Sequence, residues 1–230
     1  MANRGDTIDN PVQGVRVTFR ETTRDTGGEY VRLDVYAAPG GVGIGEHFHP
    51  RLQERFEVLS GTLGARVAGR EQRFGSGQTL VVPPGTPHGL WNAGEEEVHA
   101  LCEVRPALGF EPLLEKIFGL AREGKTDEKG DPGLLQGVVL LRRHPGVTYP
   151  TSPPLPVLKA LVPVLAPVAG LLGYDDEDGR ARHGGQESLG GGESQQRKAG
   201  TARPAAVVVA SVLALSALLL LLRRGRRRAS

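Results

Sequence analysis

Three histidines and one glutamate carry the clearest chemistry in this chain of 230 residues. His47 and His49 are two residues apart, so in a strand both imidazoles point to one face while Phe48 points to the other. Glu54 follows on the next strand-like run, and His88 comes just after a rigid Pro-Pro-Gly turn. If these groups converge inside the protein they need a cation, because a buried unpaired carboxylate is costly.

The donor set indicates which metals would fit. Imidazole combined with carboxylate suits Fe, Mn, Ni, Zn or Cu rather than Ca or Mg. We therefore predict one divalent transition metal ion on His47, His49, Glu54 and His88. Four protein ligands on a six-coordinate metal would leave two positions for water, oxygen or substrate.

Short strand signals surround these residues. Residues 30–36, for example, place Val31, Leu33 and Val35 on one face of a strand. Many short strands separated by Gly- and Pro-rich turns, with no helical period among them, favour an all-β sandwich or barrel. The predicted strands are Val15–Phe19, Tyr30–Tyr36, Gly43–His49, Phe56–Leu59, Gly64–Val67, Thr79–Val82 and Val98–Val104.

The two ligand-bearing stretches resemble the signature motifs of the cupin superfamily, G-x5-H-x-H-x4-E-x6-G and G-x5-P-x-G-x2-H-x3-N. The matching positions are Gly41, His47, His49, Glu54, Gly61, Gly77, Pro83, Gly85, His88 and Asn92. The gap between the motifs is similar to the short spacing of small bacterial cupins. The resemblance covers about residues 28–106. It implies an all-β, jelly-roll antiparallel barrel, the four metal-ligand roles named above, and dimerisation through the barrel edges to form a homodimer.

The resemblance does not choose an activity, because one fold hosts many functions. Cupins include dioxygenases, decarboxylases, sugar-phosphate isomerases and binding or sensory domains. One hypothesis is an enzyme, an oxygenase or isomerase acting on a small polar organic molecule, in which the metal is a Lewis acid or oxygen-binding centre. The other is a non-catalytic ligand-binding or sensing module. The complete ligand set favours the enzyme, whereas the lack of an evident general base favours the module.

The pattern changes after the barrel. Apolar residues at three- and four-residue steps predict an amphipathic helix over 111–122, and further apolar stretches follow at 134–141 and 155–173. The expected divisions of the chain are a disordered lead (1–10), the barrel (11–107), a helical extension that packs on the barrel or lies at a membrane interface (108–173), a flexible linker (174–204), a transmembrane helix (205–222) and a basic tail (223–230).

A membrane anchor is expected near the C-terminus. Residues 205–222 carry no charge and are mostly aliphatic. As a helix they would span about 27 Å, close to the hydrocarbon thickness of a bilayer. Residues 175–204 contain one large aliphatic residue, Leu189, among Gly, Ser, Gln and charged residues. Such a composition cannot bury a core and predicts a flexible linker.

The orientation of this anchor is ambiguous. The Arg-rich end should stay cytoplasmic by the positive-inside rule. The N-terminus has no apolar stretch of the signal-peptide type, so the barrel is also expected in the cytoplasm. A single span cannot satisfy both conditions. One hypothesis makes residues 155–173 a second membrane-inserted segment, although Lys159, Pro163 and Pro167 favour a helix on the barrel or at the interface.

The net charge of +2 is a poor guide to partners, because five arginines fall in the last eight residues. The rest of the chain has no basic stripe with interleaved aromatics, so no nucleic acid is expected. The expected partners are a small-molecule ligand or substrate and membrane lipid. The single cysteine, Cys102, cannot form an internal disulfide and is expected to be a buried thiol.

Overall fold

Two antiparallel sheets face each other in the computed structural model, which describes residues 1–174. The first sheet has the order β1-β2-β3-β10-β5-β8, and the second has the order β11-β4-β9-β6-β7. The strands are β1 (Thr7–Asn10), β2 (Val15–Glu21), β3 (Val31–Ala37), β4 (Ile44–Phe48), β5 (Gln53–Ser60), β6 (Leu63–Val67), β7 (Arg70–Phe74), β8 (Thr79–Val82), β9 (His88–Asn92), β10 (Val98–Arg105) and β11 (Tyr149–Pro150). This arrangement confirms the predicted antiparallel jelly roll.

The core lies between the two sheets and follows from strand alternation. In β10, Val98, Ala100, Cys102 and Val104 are buried while the residues between them are not. Side chains two residues apart share a face, so these four point toward the opposite sheet. Burying a side chain such as Val104 contributes about 1.5–3 kcal/mol, so this alternation also fixes the register of the strands.

The expectation of a disordered lead at 1–10 is wrong. Residues Thr7–Asn10 form β1, which pairs with β2 in register, Ile8 lying opposite Val17. The side chain of Ile8 is buried, and the hydroxyl groups of Thr7 and Thr18 lie 2.9 Å apart. Backbone pairing with β2 thus orders a segment whose own side chains are mostly polar.

In the described part of the chain, three helices follow the barrel: α1 (Phe110–Arg122), α2 (Leu134–Arg143) and α3 (Leu155–Leu171). Leu113 and Phe118 of α1 and Leu140 of α2 belong to the same buried cluster as the barrel core. Helix α3 lies against α2. The first two helices therefore cover the barrel.

Helix α3 occupies the stretch considered above as a second membrane-inserted segment, and it contains Pro163 and Pro167. Within residues 1–174, no helix is long and apolar enough to cross a bilayer. The predicted linker beyond residue 174, the apolar segment 205–222 and the basic tail 223–230 lie outside the described residues.

Candidate metal centre

The two sheets bring the four predicted ligands together. His47 is in β4 and lies directly opposite His88, the first residue of β9, so these two imidazoles come from paired strands of the second sheet. His49 follows the end of β4. Glu54 is in β5 of the first sheet and reaches the histidines from the opposite side of the barrel. Four potential ligand atoms, one from each residue, all lie within 4.8 Å of one another.

A tight turn before β9 positions His88. Gly85 has φ +78°, a conformation that a residue with a Cβ atom adopts only at a cost. Its backbone N–H donates to the carbonyl oxygen of His49 at 2.7 Å. The Pro-Pro-Gly turn that leads into His88 is thus tied to the backbone of His49, a second residue of the cluster.

The cluster is largely shielded from water. His88 is fully buried, His49 and Glu54 are each 4% exposed, and His47 is half-buried. A charged carboxylate in such a place needs compensation from hydrogen bonds or an opposite charge.

Each of the three imidazoles is oriented by a backbone carbonyl. Nδ1 of His47 lies 2.8 Å from the oxygen of Gly45, Nδ1 of His49 lies 2.7 Å from that of Val147, and Nδ1 of His88 lies 2.9 Å from that of Thr86. A carbonyl oxygen can only accept, so Nδ1 carries the proton in all three rings. The lone pair of each neutral ring is therefore on Nε2, as in metal-binding histidines held by outer hydrogen bonds.

The remaining atoms of the cluster are mostly acceptors that face one another. Nε2 of His47 lies 3.2 Å from Nε2 of His49, and Nε2 of His88 lies 2.7 Å from Oε2 of Glu54. Neither His88 Nε2 nor Glu54 Oε2 has a partner with hydrogen-bond geometry. Buried groups of this kind are normally satisfied. A cation placed among them would satisfy all four residues at once, so the residues present fit a transition metal ion.

The ionisation of the cluster follows from its burial and mutual charges. Burial, together with the charges of His49 and His88, lowers the pKa of His47 to about 3. Burial alone would lower the pKa of His49, but the charge and hydrogen bond of Glu54 raise it. Burial alone would raise the pKa of Glu54, but the neighbouring histidines, His49 first, hold it well below its usual range. Glu54 is therefore ionised, and His47 is a neutral imidazole at any pH near 7.

A cavity of about 440 Å³ opens onto this cluster, and His47, His49 and Glu54 are part of its wall. Its other walls come from the inner face of the barrel and from helices α1 and α2. The ring of Phe110 meets the ring of His49 edge-on, with centroids 5.9 Å apart. Neither the Phe110 contact nor the Val147 carbonyl is predictable from the sequence, because nothing in the local pattern links them to His49.

Three other polar or aromatic residues of the barrel, Asn92, Trp91 and His99, have partners away from the cluster. The side-chain amide of Asn92 donates to the carbonyls of Ala37 and Glu96, which is a turn-stabilising role. Trp91 lies outside the 440 Å³ cavity, against Gly64 of the neighbouring strand. His99 contacts Asp34 at 2.7 Å on the other face of β10 from Cys102.

Two further residues, His144 and Cys102, are part of the cavity wall. His144 sits at the end of α2 and is half-buried. Burial lowers its pKa. Cys102 is buried and unbridged as expected, and burial raises the pKa of its thiol well above the usual value, so the sulfur is a neutral part of the wall.

Comparison with known proteins agrees with this architecture. Residues 34–103 match the family described as Cupin domain. No curated protein matches the chain.

Several solved structures are similar to the chain. A conserved protein with a double-stranded beta-helix domain from Klebsiella pneumoniae is 28% identical, with a TM-score of 0.33, over 35% of this chain and 66% of that one. KdgF from Halomonas sp. is 20% identical, with a TM-score of 0.36, over 40% of this chain and 81% of that one. Streptomyces PAC13, solved with uridine, is 17% identical, with a TM-score of 0.38, over 45% and 77%.

The jelly-roll sheets agree with the family match. Residues 34–103, which match the Cupin domain family, lie within these sheets, and helices α1 and α2 follow beyond the matched region. Within residues 34–103 lies a His-His-Glu-His cluster with the chemistry of a metal site.

Proposed function

We propose that this chain is a membrane-tethered, metal-binding cupin that acts on a small organic molecule as a dioxygenase or isomerase. The observation that supports it most directly is the arrangement of acceptors around one point. Three Nε2 atoms with their Nδ1 protons held by backbone carbonyls, and one ionised carboxylate, face one another beside a ligand-sized cavity. A structural metal site would be closed, whereas three of these four residues line open space.

The chain's own residues would have distinct tasks. His47, His49, Glu54 and His88 would hold the ion, which when bound supplies a Lewis acid or an oxygen-binding centre. The carbonyls of Gly45, Thr86 and Val147 keep the rings turned so that Nε2 faces inward. Phe110 and the helices above it limit the access of water to the centre and strengthen electrostatic interactions there.

Metal analysis of the purified full chain, followed by turnover assays, tests this proposal. We expect about one transition metal ion per chain, and oxygen consumption or isomerisation of an organic substrate that disappears when the ion is removed. The matched pair of variants is Glu54→Gln and Glu57→Gln, two glutamates of β5 on opposite faces of the strand. Only the first should lose metal and turnover. Equal retention of metal by both would refute the metal site.

The alternative is a non-catalytic module that binds or senses a ligand at the metal. One observation favours it. Glu46 and Asp131 are the carboxylates of the cavity wall outside the cluster, and both are exposed rather than held against the four ligands. General acid–base catalysis needs a group positioned within hydrogen-bond reach of the reacting atoms. Saturable ligand binding without turnover across oxygenase and isomerase assays would favour this module over the enzyme.

The membrane tether rests on sequence alone. Residues 205–222 are apolar over a length that suits a bilayer, and five arginines follow them. We expect the full chain to remain in the membrane pellet after alkaline carbonate washing. The double substitution Leu213→Arg and Leu218→Arg should release it, because a charge at the helix centre costs about 2.5–3.5 kcal/mol on insertion scales. Retention of this variant would contradict a spanning anchor.

A further inference from the structure

The cavity beside the metal cluster is apolar on its barrel side. Leu33, Phe56 and Leu90 from three strands line it, and all three are part of the hydrophobic core. Val35, in the middle of β3, is only partly buried although it packs against the same core. The inner face of the barrel thus presents hydrocarbon to whatever occupies the cavity.

Helix α1 supplies a second apolar wall. Phe110, Leu114 and Ile117 contact the core but remain half-buried, because each also faces the cavity. The edge of the Phe110 ring lies against His49, so the apolar surface begins next to the metal ligands. A volume of 440 Å³ falls within the range of about 300–1,000 Å³ that is usual for small-molecule sites.

The charges in and around the cavity restrict its occupant further. A divalent ion held by three neutral imidazoles and one carboxylate keeps one net positive charge, which a single anionic head would neutralise. Among the described residues that line the cavity there is no lysine and no arginine. A second anionic group would therefore be desolvated without a counter-charge, and Glu46 and Asp131 would repel it.

We infer that the ligand of this site is an apolar monocarboxylate, whose carboxylate binds at the metal and whose apolar body lies against Phe110, Leu114 and Ile117. The inference rests on the proposed function, because the head group is taken to be held by the ion. The sequence predicted a small polar molecule. The cavity favours a ligand that has a single polar end on an apolar body. Sugar phosphates and dicarboxylates fit this cavity poorly, since each carries a further negative charge that no lysine or arginine of the described wall can pair, and burial lowers the pKa of the wall residue His144.

Calorimetric titration of the purified full chain loaded with Zn²⁺ tests the inference. The probes are 3-phenylpropanoate, its dianionic relative 4-(2-carboxyethyl)benzoate, and propanoate, which has the head without the body. We expect 3-phenylpropanoate to bind at least tenfold more tightly than either relative, and to lose this advantage when Zn²⁺ is removed. Equal affinity for the dianion, or for propanoate, would overturn the inference. A chain that retains no Zn²⁺ would instead refute the metal site itself.

A charge-gain variant tests the electrostatic part separately. Leu134 lines the cavity and is 64% exposed, so Leu134→Arg adds a cation at the rim without disturbing the core. Val164→Arg is the matched control, because Val164 is 63% exposed on α3 and does not line the cavity. We expect Leu134→Arg to raise the affinity for 4-(2-carboxyethyl)benzoate several-fold and Val164→Arg to leave it unchanged. The same response from both variants, or none from Leu134→Arg, would contradict the charge argument.

Discussion

Nε2 of His47 lies 3.2 Å from Nε2 of His49, and neither ring can turn its other nitrogen inward, because each Nδ1 is bound to a backbone carbonyl. Two lone pairs at that distance repel unless a proton or a metal ion lies between them. Burial lowers the pKa of His47 to about 3; burial alone would also lower the pKa of His49, but the charge and hydrogen bond of Glu54 raise it. A metal ion between the two rings would bind both lone pairs and remove their repulsion.

Metal binding should stabilise the fold. The proposed ligands come from both sheets, so only the folded chain brings them together. An ion that binds only the folded chain raises the free energy of unfolding by about 2.7 kcal/mol when its free concentration is 100 times its dissociation constant. We expect Zn²⁺ to raise the melting temperature of the wild type and of Glu57→Gln, and not of Glu54→Gln. Differential scanning calorimetry with and without a chelator measures this. A rise of the same size in Glu54→Gln would show that the ion stabilises the chain from another place.

The turn before β9 should control the geometry of the cluster. Gly85 has φ +78°, so Gly85→Ala places a residue with a Cβ in the left-handed region, at a cost of about 1–2 kcal/mol. The strain falls in the turn that leads into His88 and is hydrogen-bonded to the backbone of His49. Gly77→Ala is the matched control: its φ is +80°, and its N–H donates to the Val58 carbonyl at 2.8 Å. We expect similar losses of stability by urea denaturation but weaker Zn²⁺ binding only in Gly85→Ala. Equal affinities would show that the turn does not position the ligands.

Stability at acid pH should depend on Asp34. Burial alone would raise the pKa of Asp34, but hydrogen bonds from Arg20 and His99 hold it below its usual value. Since the folded pKa lies below the unfolded value of about 3.9, this contribution is present above that pH and is lost as the pH falls through the folded pKa. We expect Asp34→Asn to lower the free energy of unfolding by about 1–3 kcal/mol at pH 7.

Urea denaturation between pH 7 and pH 3 checks the acid dependence. The difference between the wild type and Asp34→Asn should shrink below about pH 4 as Asp34 takes up its proton. Asp9→Asn is the control, because Asp9 is 49% exposed and its ion pair with Arg122 is long, at 4.0 Å. It should change stability by less than about 0.5 kcal/mol. A difference for Asp34→Asn that is constant with pH would rule out a role for its charge.

The close contact between Gly64 and Trp91 gives a test of the second sheet. A Cβ at Gly64 would lie 2.4 Å from the Trp91 ring, so Gly64→Ala must displace it, at about 1–3 kcal/mol. Trp91 is the only tryptophan, so its emission reports the shift. Gly119→Ala, in α1 with no atom within 4 Å of its added Cβ, should stabilise the chain by about 0.5–1 kcal/mol. Unchanged emission and stability in Gly64→Ala would contradict this packing.

The sequence predicted those elements whose side chains alternate between core and solvent. The strands around Leu33, Phe56 and Cys102 and the helix beginning near Phe110 all show such periodicity, and the structure confirms them. It did not predict β7, because every residue from Arg70 to Phe74 is at least partly exposed on an edge strand and gives no apolar alternation. Strand β9 was hidden for another reason: its first three residues, including Gly89, are all buried.

The candidate site likewise has some residues that the sequence predicts and others that only the tertiary structure brings to it. The four proposed ligands were visible because their spacing is local within two motifs. The carbonyl of Val147 that orients His49 is 98 residues away in the chain, and the cavity walls come from helices that pack on the barrel only through tertiary contacts. Such relationships depend on how elements meet in space, and the pattern of any one segment does not contain them.

The central claim is that three imidazoles and one carboxylate hold a single transition metal ion. The most direct measurement is the metal content, by inductively coupled plasma mass spectrometry, of the purified full chain, of the double variant His47→Gln/His88→Gln, and of His99→Gln as the control from the other face of the sheet. We predict about one ion per chain in the wild type and the control, and almost none in the double variant. Undiminished metal in the double variant would contradict the claim.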